Sequence, residues 1–348
     1  MKPYMLKLSA LLVAAVSMTS CKSSLDIPYE NLKEELTILF LGATDRDQHT
    51  LKISQTSMGR YFRIKGVEVE MSIDGAKVGL TPIKPLGTYE LSAQFRSGQR
   101  VQISASYKGK KASSEFVVPS PAEVLEVKHE DYTLHRETGS RKEYTRWKIR
   151  LKDPAGEKNY YRIYAEYADV VQRVDTGEEF TPRGWIMLKL DGREDYILSD
   201  GNPAAPGSEE AEDPFDIASY TNIYNVFPDR VFDGQEVGLS LSSDRISLPM
   251  NFYYHREDGY HTILGDGSEV LVKPKSRRIR FFVQAISEDV YKYLISLGVA
   301  HSTDEESPFT TPVQIYSNIN GGTGISGVNA TRVVDFDIEL KVPKKRER

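Results

Sequence analysis

The stretch "GGTGISGVNATRVVDFDIEL" (Gly321–Leu340) admits two opposite folds. Within it, Gly322-Thr-Gly324-Ile-Ser-Gly327 is a literal G-x-G-x-x-G, the string that cradles a pyrophosphate in dinucleotide-binding α/β folds. That chemistry needs a helix directly after the glycines, so that its N-terminus meets the phosphates, and a second strand beyond it. The residues after the glycines, "TRVVDFDIEL", are instead β-branched and alternating. Val333, Asp335 and Asp337 share one parity, and Val334, Phe336 and Ile338 the other. The glycines therefore read as a wide turn between two edge-forming strands, "VQIYSNI" and "RVVDFDIEL". Missing Cβ atoms there permit positive φ or close approach of another backbone. Neither a dinucleotide nor any other cofactor is expected.

Toward the N-terminus the pattern stays β. "GVEVEMSIDGAKVGL" (Gly66–Leu80) alternates Val67, Val69, Met71 and Ile73 against Glu68, Glu70 and Ser72, then turns at Asp74-Gly75. "GTYELSAQF" and "QRVQISASYKGKKASSEFVV" continue it. The expected fold is mainly β. An immunoglobulin-like sandwich over 36–120 leads through "VPSPAEV" into a larger β-rich domain over 124–342, with a basic tail at 343–348. One short helix is predicted. Ser287 caps it, Glu288 and Asp289 suit its positive end, Val290, Tyr291, Leu294 and Leu297 share a face, and Gly298 stops it.

The N-terminus carries Lys2 and Lys7, then an apolar run over Leu8–Met18 that is shorter than a membrane span. Met18-Thr19-Ser20-Cys21 resembles a bacterial lipobox, with Met18 where Leu or Val is usual. Residues 1–20 read as a signal peptide, Cys21 as the lipidation site and 21–35 as a tether. Cys21 is the single cysteine of 348 residues, so the folded body has no disulfide, zinc-thiolate site or cysteine nucleophile. The net charge of −5 argues against nucleic acid as a partner.

Catalytic constellations are hard to find. His129 and His135 in "HEDYTLH" are six apart, whereas H-E-x-x-H needs four. If Asp258-Gly259 turns a hairpin, His255 pairs with Thr262 and His261 with Arg256, on opposite faces. No G-x-S-x-G or S-x-x-K string occurs. The loop Asp191–Asp216 is acidic but lacks calcium-loop order. No metal site is expected. Two groups remain as candidate ligand or partner contacts. Tyr160, Arg162 and Tyr164 share one face of "NYYRIYAEY", where aromatics beside an arginine suit a planar or sugar-like ligand. Asn318, Asn320, Gly322, Gly324 and Gly327 present amides and open backbone.

Several stretches together resemble the domain-of-unknown-function 4249 family of Bacteroidota lipoproteins. They are "GTYEL" (Gly87–Leu91), "VVPSPAEV" (Val117–Val124), "LKDPAGEKNYYRI", "FPDRVFDGQEV" (Phe227–Val237), "ISEDVYKYLISL" (Ile286–Leu297) and "SPFTTPVQIYSNINGGTGISGV" (Ser307–Val328). The resemblance implies an outer-membrane lipoprotein, often encoded beside TonB-dependent transporters, and no reaction. The expectation is a non-enzymatic accessory or ligand-binding protein, anchored in the outer membrane through Cys21 and partnered by such a transporter, with its membrane side left open. A structural or adhesive surface protein and a hydrolase with an unrecognised carboxylate site are the alternatives.

Overall fold

A computed structural model describes residues 34–57, 60–135, 141–206, 221–246, 254–256, 259–302 and 313–340. Cys21 lies outside the described residues. The first half runs β1 (Glu35–Ala43), β2 (Gln48–Ser57), β3 (Arg60–Arg63), β4 (Glu68–Ile73), β5 (Ala76–Lys77), β6 (Thr81–Ile83), β7 (Thr88–Ser92), β8 (Arg100–Tyr107) and β9 (Lys110–Val117). The second runs β10 (Glu123–His135), β11 (Arg141–Lys152), β12 (Tyr160–Arg173), β13 (Glu179–Phe180), β14 (Ile186–Leu188), β15 (Val226–Pro228), β16 (Glu236–Asp244), β17 (Tyr254–Arg256), β18 (Gly259–Ile263) and β19 (Glu269–Ile286). The helix α1 (Glu288–Ser302) and a last strand β20 (Gly322–Glu339) complete it.

The fold is mainly β, as the alternation predicts. β1-β2-β7-β6 faces β9-β8-β4-β5 across a core of Leu36, Ile38, Phe40, Val101 and Ile103. This is the ABED-on-CFG arrangement of immunoglobulin-like sandwiches. Asp74 and Gly75 both take positive φ, 50° and 81°, and turn β4 into β5. A second sandwich sets β12, β19 and the far half of β20 against β10-β11-β16. There Trp147 packs on Phe281, with ring centroids 4.7 Å apart, among Ile149, Leu241, Ile163 and Val283.

β20 joins the two sandwiches. Its first part pairs parallel to β1 (Leu36↔Gly322 to Ala43↔Asn329), and its second pairs antiparallel to β19 (Ala285↔Ala330 to Ser276↔Glu339). The glycine run is therefore not a turn between edge strands. It lies inside a central strand, and the preceding segment 313–319 forms no strand. Of the three glycines only Gly324 has positive φ, 113°. A Cβ at Gly322 would stand 2.3 Å from Leu36 O, one at Gly324 2.1 Å from Ile38 O, and one at Gly327 2.6 Å from Val290 Cγ2. The backbone of β1 at Gly322 and Gly324, and the Val290 side chain of α1 at Gly327, explain them, a long-range cause that no local pattern displays.

The helix starts as predicted, with Val290 N donating to Ser287 Oγ at 3.2 Å. It does not stop at Gly298 but runs through to Ser302. Gly298 is an approach point, because a Cβ there would meet Thr221 O at 2.3 Å. The hairpin register is also two residues off expectation: Tyr254 pairs with His261 and His255 with Tyr260. A shift by an even number leaves the parity of the two histidines unchanged. No helix among the described residues is long and apolar enough to cross a membrane.

This packing sets the cost of two substitutions. Gly324→Val adds a β-branched Cβ against Ile38 O at a positive φ, and it should cost about 2–4 kcal/mol or prevent folding. Gly238→Ala, where a Cβ meets nothing within 4 Å, should stay within about 1 kcal/mol of wild type. Urea unfolding of both checks this, and equal midpoints would refute the close-approach account. His49 is buried beside Phe95 at 4.9 Å, with Nε2 3.0 Å from Ala93 O, and burial holds its imidazole below the usual 6.5. The unfolded chain thus takes up the proton first. Stability from neutral His49 is complete above pH 6.5 and is lost as pH falls through the depressed folded value. Melting temperature should drop on acidification from pH 7 to 5, and the drop should be smaller in His49→Leu.

Candidate functional site

β12 alternates over Tyr160–Tyr167. Tyr161, Ile163, Ala165 and Tyr167 enter the second core, which leaves Tyr160, Arg162 and Tyr164 on the opposite face. The structure divides this predicted trio. Tyr160 packs on α1 through Tyr291, with centroids 4.9 Å apart. Arg162 and Tyr164 line a cavity of about 510 Å³, within the range of small-molecule sites. Met187 on β14, Lys189 and Asp191 just beyond it, and Ile223, Tyr224 and Asn225 on a loop close its sides.

Arg162 is the unusual group. Its guanidinium carbon sits 4.8 Å from the Tyr164 ring centroid and 5.8 Å from that of Tyr224. No carboxylate pairs with it among the described residues, and its Nε is buried without a hydrogen-bond partner. Desolvation lowers its pKa, with the two tyrosines acting the other way. Tyr164 stacks on Phe282 at 4.5 Å and 6°, and burial pushes its hydroxyl up to about 12, so it is neutral at physiological pH. Asn225 is buried with positive φ, 49°. Its Nδ2 reaches Leu190 O at 3.4 Å, while its Oδ1 has no partner. Asp191, the carboxylate in the cavity wall, accepts from Arg193 N at 3.0 Å and Nε at 3.2 Å. Lys189 is exposed and forms no ion pair among the described residues. The cavity thus presents a desolvated cation, a buried acceptor and aromatic walls. Such an arrangement can hold an anion that also donates a hydrogen bond.

The second predicted group serves the fold. Asn318 Nδ2 donates to Ser326 O at 2.8 Å, and its Oδ1 accepts from Ser326 N at 3.0 Å. Asn320 makes a backbone bridge with Ser113, and Gly322, Gly324 and Gly327 are enclosed by β1 and α1. This group lies apart from the Arg162 cavity.

A third cluster has no simple sequence signature. Asp153 and Asp229, both buried, and exposed Asp233 bring carboxylate oxygens within 4.8 Å of one another. Each already accepts from a neighbour: Asp153 from the Tyr161 hydroxyl and from Gly234 N at 2.9 Å, Asp229 from Asn159 N at 2.7 Å, and Asp233 from Gly156 N at 2.9 Å. The Tyr161 hydroxyl is pushed far upward, first by burial and then by Asp153. These bonds tie the β11–β12 loop to the β15–β16 loop. Spacing alone could not reveal them, since the residues are up to 80 apart in sequence (233 − 153).

A family model, "Domain of unknown function (DUF4249)", matches residues 34–333. No curated protein matches the chain. Among solved structures, "Biofilm associated protein - B domain" is similar at 7% identity and a TM-score of 0.17, covering 88% of this chain and 86% of that one. A likeness at that score carries no argument.

If hydrogen bonds alone hold the Asp153 cluster together, a strong chelator should leave the melting temperature within about 1 °C, because no structural ion is there to remove. A fall of several degrees, reversed by calcium, would reassign the three aspartates as metal ligands.

Proposed function

The chain belongs to the DUF4249 family, and on that footing we propose that it is a non-enzymatic, lipid-anchored accessory protein of the outer membrane that holds a small organic anion at Arg162. The observation that carries the binding reading is Arg162 itself. It is a guanidinium between two tyrosine rings, with a buried Nε that donates to nothing and no carboxylate opposite it among the described residues. An unmet charged donor costs more than a neutral one, and a bound carboxylate or phosphate removes that cost. The unpartnered Asn225 Oδ1 in the same cavity adds a requirement for a donor on the ligand, as in a hydroxy acid, amino acid or sugar acid. The anchor reading is supported by the N-terminal apolar run and Cys21. The family resemblance supports work beside a TonB-dependent transporter, where a bound anion is handed on or captured.

Titration calorimetry with lactate, succinate and glucuronate, set against neutral glucose, tests the binding reading. At least one of the anions should bind, and Arg162→Gln should weaken it about tenfold or more, the equivalent of a lost charge-assisted hydrogen bond of about 1.5–3 kcal/mol. Folding of the variant should be unimpaired, since it removes a desolvated charge. Equal affinity in Arg162→Gln and wild type would reject Arg162 as the anchoring group.

A further inference from the structure

The end of the first sandwich that carries Glu34 and the β2–β3 hairpin has its own surface chemistry. Glu34 accepts from Gln55 Nε2 at 2.7 Å and from Lys110 Nζ at 2.6 Å. Gln55 is paired with Phe62, and Thr56, the partner of Glu35, is paired on its other side with Tyr61. The β2–β3 hairpin and the β8–β9 turn therefore flank the point where the chain enters. All four residues of β3, Arg60–Arg63, are exposed, Tyr61 by 70% and Phe62 by 49%. Lys108 is exposed at the neighbouring turn, with its Nζ 5.2 Å from the Tyr107 ring centroid and its charge acting on Glu34, and Arg60 and Arg63 are exposed and have no ion pair among the described residues. Two exposed aromatic rings flanked on the same strand by two exposed arginines, with an exposed lysine at the neighbouring turn, leave apolar surface in water next to positive charge. They suit a membrane–water interface, where aromatic bodies enter the headgroup layer and basic groups meet phosphates.

Chain length points the same way. Thirteen residue-to-residue steps lead from Cys21 to Glu34 (34 − 21), and such a chain spans at most about 45 Å. An acyl group on Cys21 would make this end the first described part of the sandwich within reach of the bilayer. We propose that this end lies against anionic lipid headgroups, with Tyr61 and Phe62 in the interface and Arg60, Arg63 and Lys108 on lipid phosphates. The tether argument rests on the lipid-anchored reading, whereas the surface chemistry stands without it.

The single cysteine makes the test direct. In the protein purified from membranes, an acylated Cys21 is unreactive, so Tyr61→Cys and Ala76→Cys each add one labelling site. Ala76 is exposed beyond the other end of β4, where Ile73 pairs with Val101 and not with the Lys108 turn. With nitroxide labels, in vesicles containing phosphatidylglycerol, the label at 61 should be several-fold more accessible to oxygen than to a water-soluble nickel chelate. The label at 76 should show the reverse. High salt or Arg60→Glu with Arg63→Glu should erase the contrast. Equal nickel accessibility at both positions would overturn the proposal. So would shielding of position 61 from both reagents, the mark of a protein partner. A thiol-reactive Cys21 in the wild type would defeat the anchored reading instead. Vesicles added to that unanchored protein would then decide the surface alone: oxygen-biased access at 61 supports it and nickel-biased access overturns it.

Discussion

β20 offers 18 residues of backbone, and both of its edges are taken. Gly322–Asn329 bond to β1, and Ala330–Glu339 bond to β19. A strand so placed must bring the two sheets to a common plane, so one continuous sheet crosses the molecule and each sandwich packs its second layer against a different part of it. The parallel half demands closer contact than side chains allow at 322 and 324, and the seat of α1 demands it at 327. Glycine is the residue that meets all three demands. From this strand the order β20-β19-β12 then fixes where Arg162 stands.

Two arginines on neighbouring strands show how differently the fold treats the same charge. Arg277 on β19 is wholly buried. Its Nη2 meets Asp169 Oδ2 at 2.9 Å, its Nη1 meets Ile246 O at 2.8 Å, and Tyr167 lies under it at 4.8 Å. Every desolvated donor in that set has an acceptor, which is what a structural ion pair requires. Arg162 on β12 has the rings but not the carboxylate. A core selected for stability alone would complete the second arginine as it completes the first. The incomplete one lies in a cavity of ligand size, and this contrast is the ground for proposing a ligand there.

How much of this is legible in the sequence depends on the range of the cause. The alternation of Val67–Ile73 and the Asp74-Gly75 turn are local, and they read correctly. So does the Ser287 cap, whose bond spans three residues. The end of α1 reads wrongly from the same string, because Gly298 answers to Thr221, far back in the chain. The glycine run misleads for the same reason: Gly324 answers to Ile38. At the cavity, Arg162 and Tyr164 can be found because strand parity is a short-range rule. Tyr224 and Asn225 escape that rule because a loop some 60 residues later delivers them, and no periodicity marks such an arrival.

The pairing of β1 with β20 also sets an order of events during synthesis. β1 leaves the ribosome first, and its outer edge has no partner until residue 322 has been made, 279 residues after Ala43 (322 − 43). Through that interval the first sandwich holds an open, apolar strand edge, the kind of surface that recruits stray strands. Contacts so distant in sequence also close slowly. Nascent chains of this protein therefore have a built-in period of vulnerability, and a message truncated between β19 and β20 leaves both β1 and β19 without the strand that joins them.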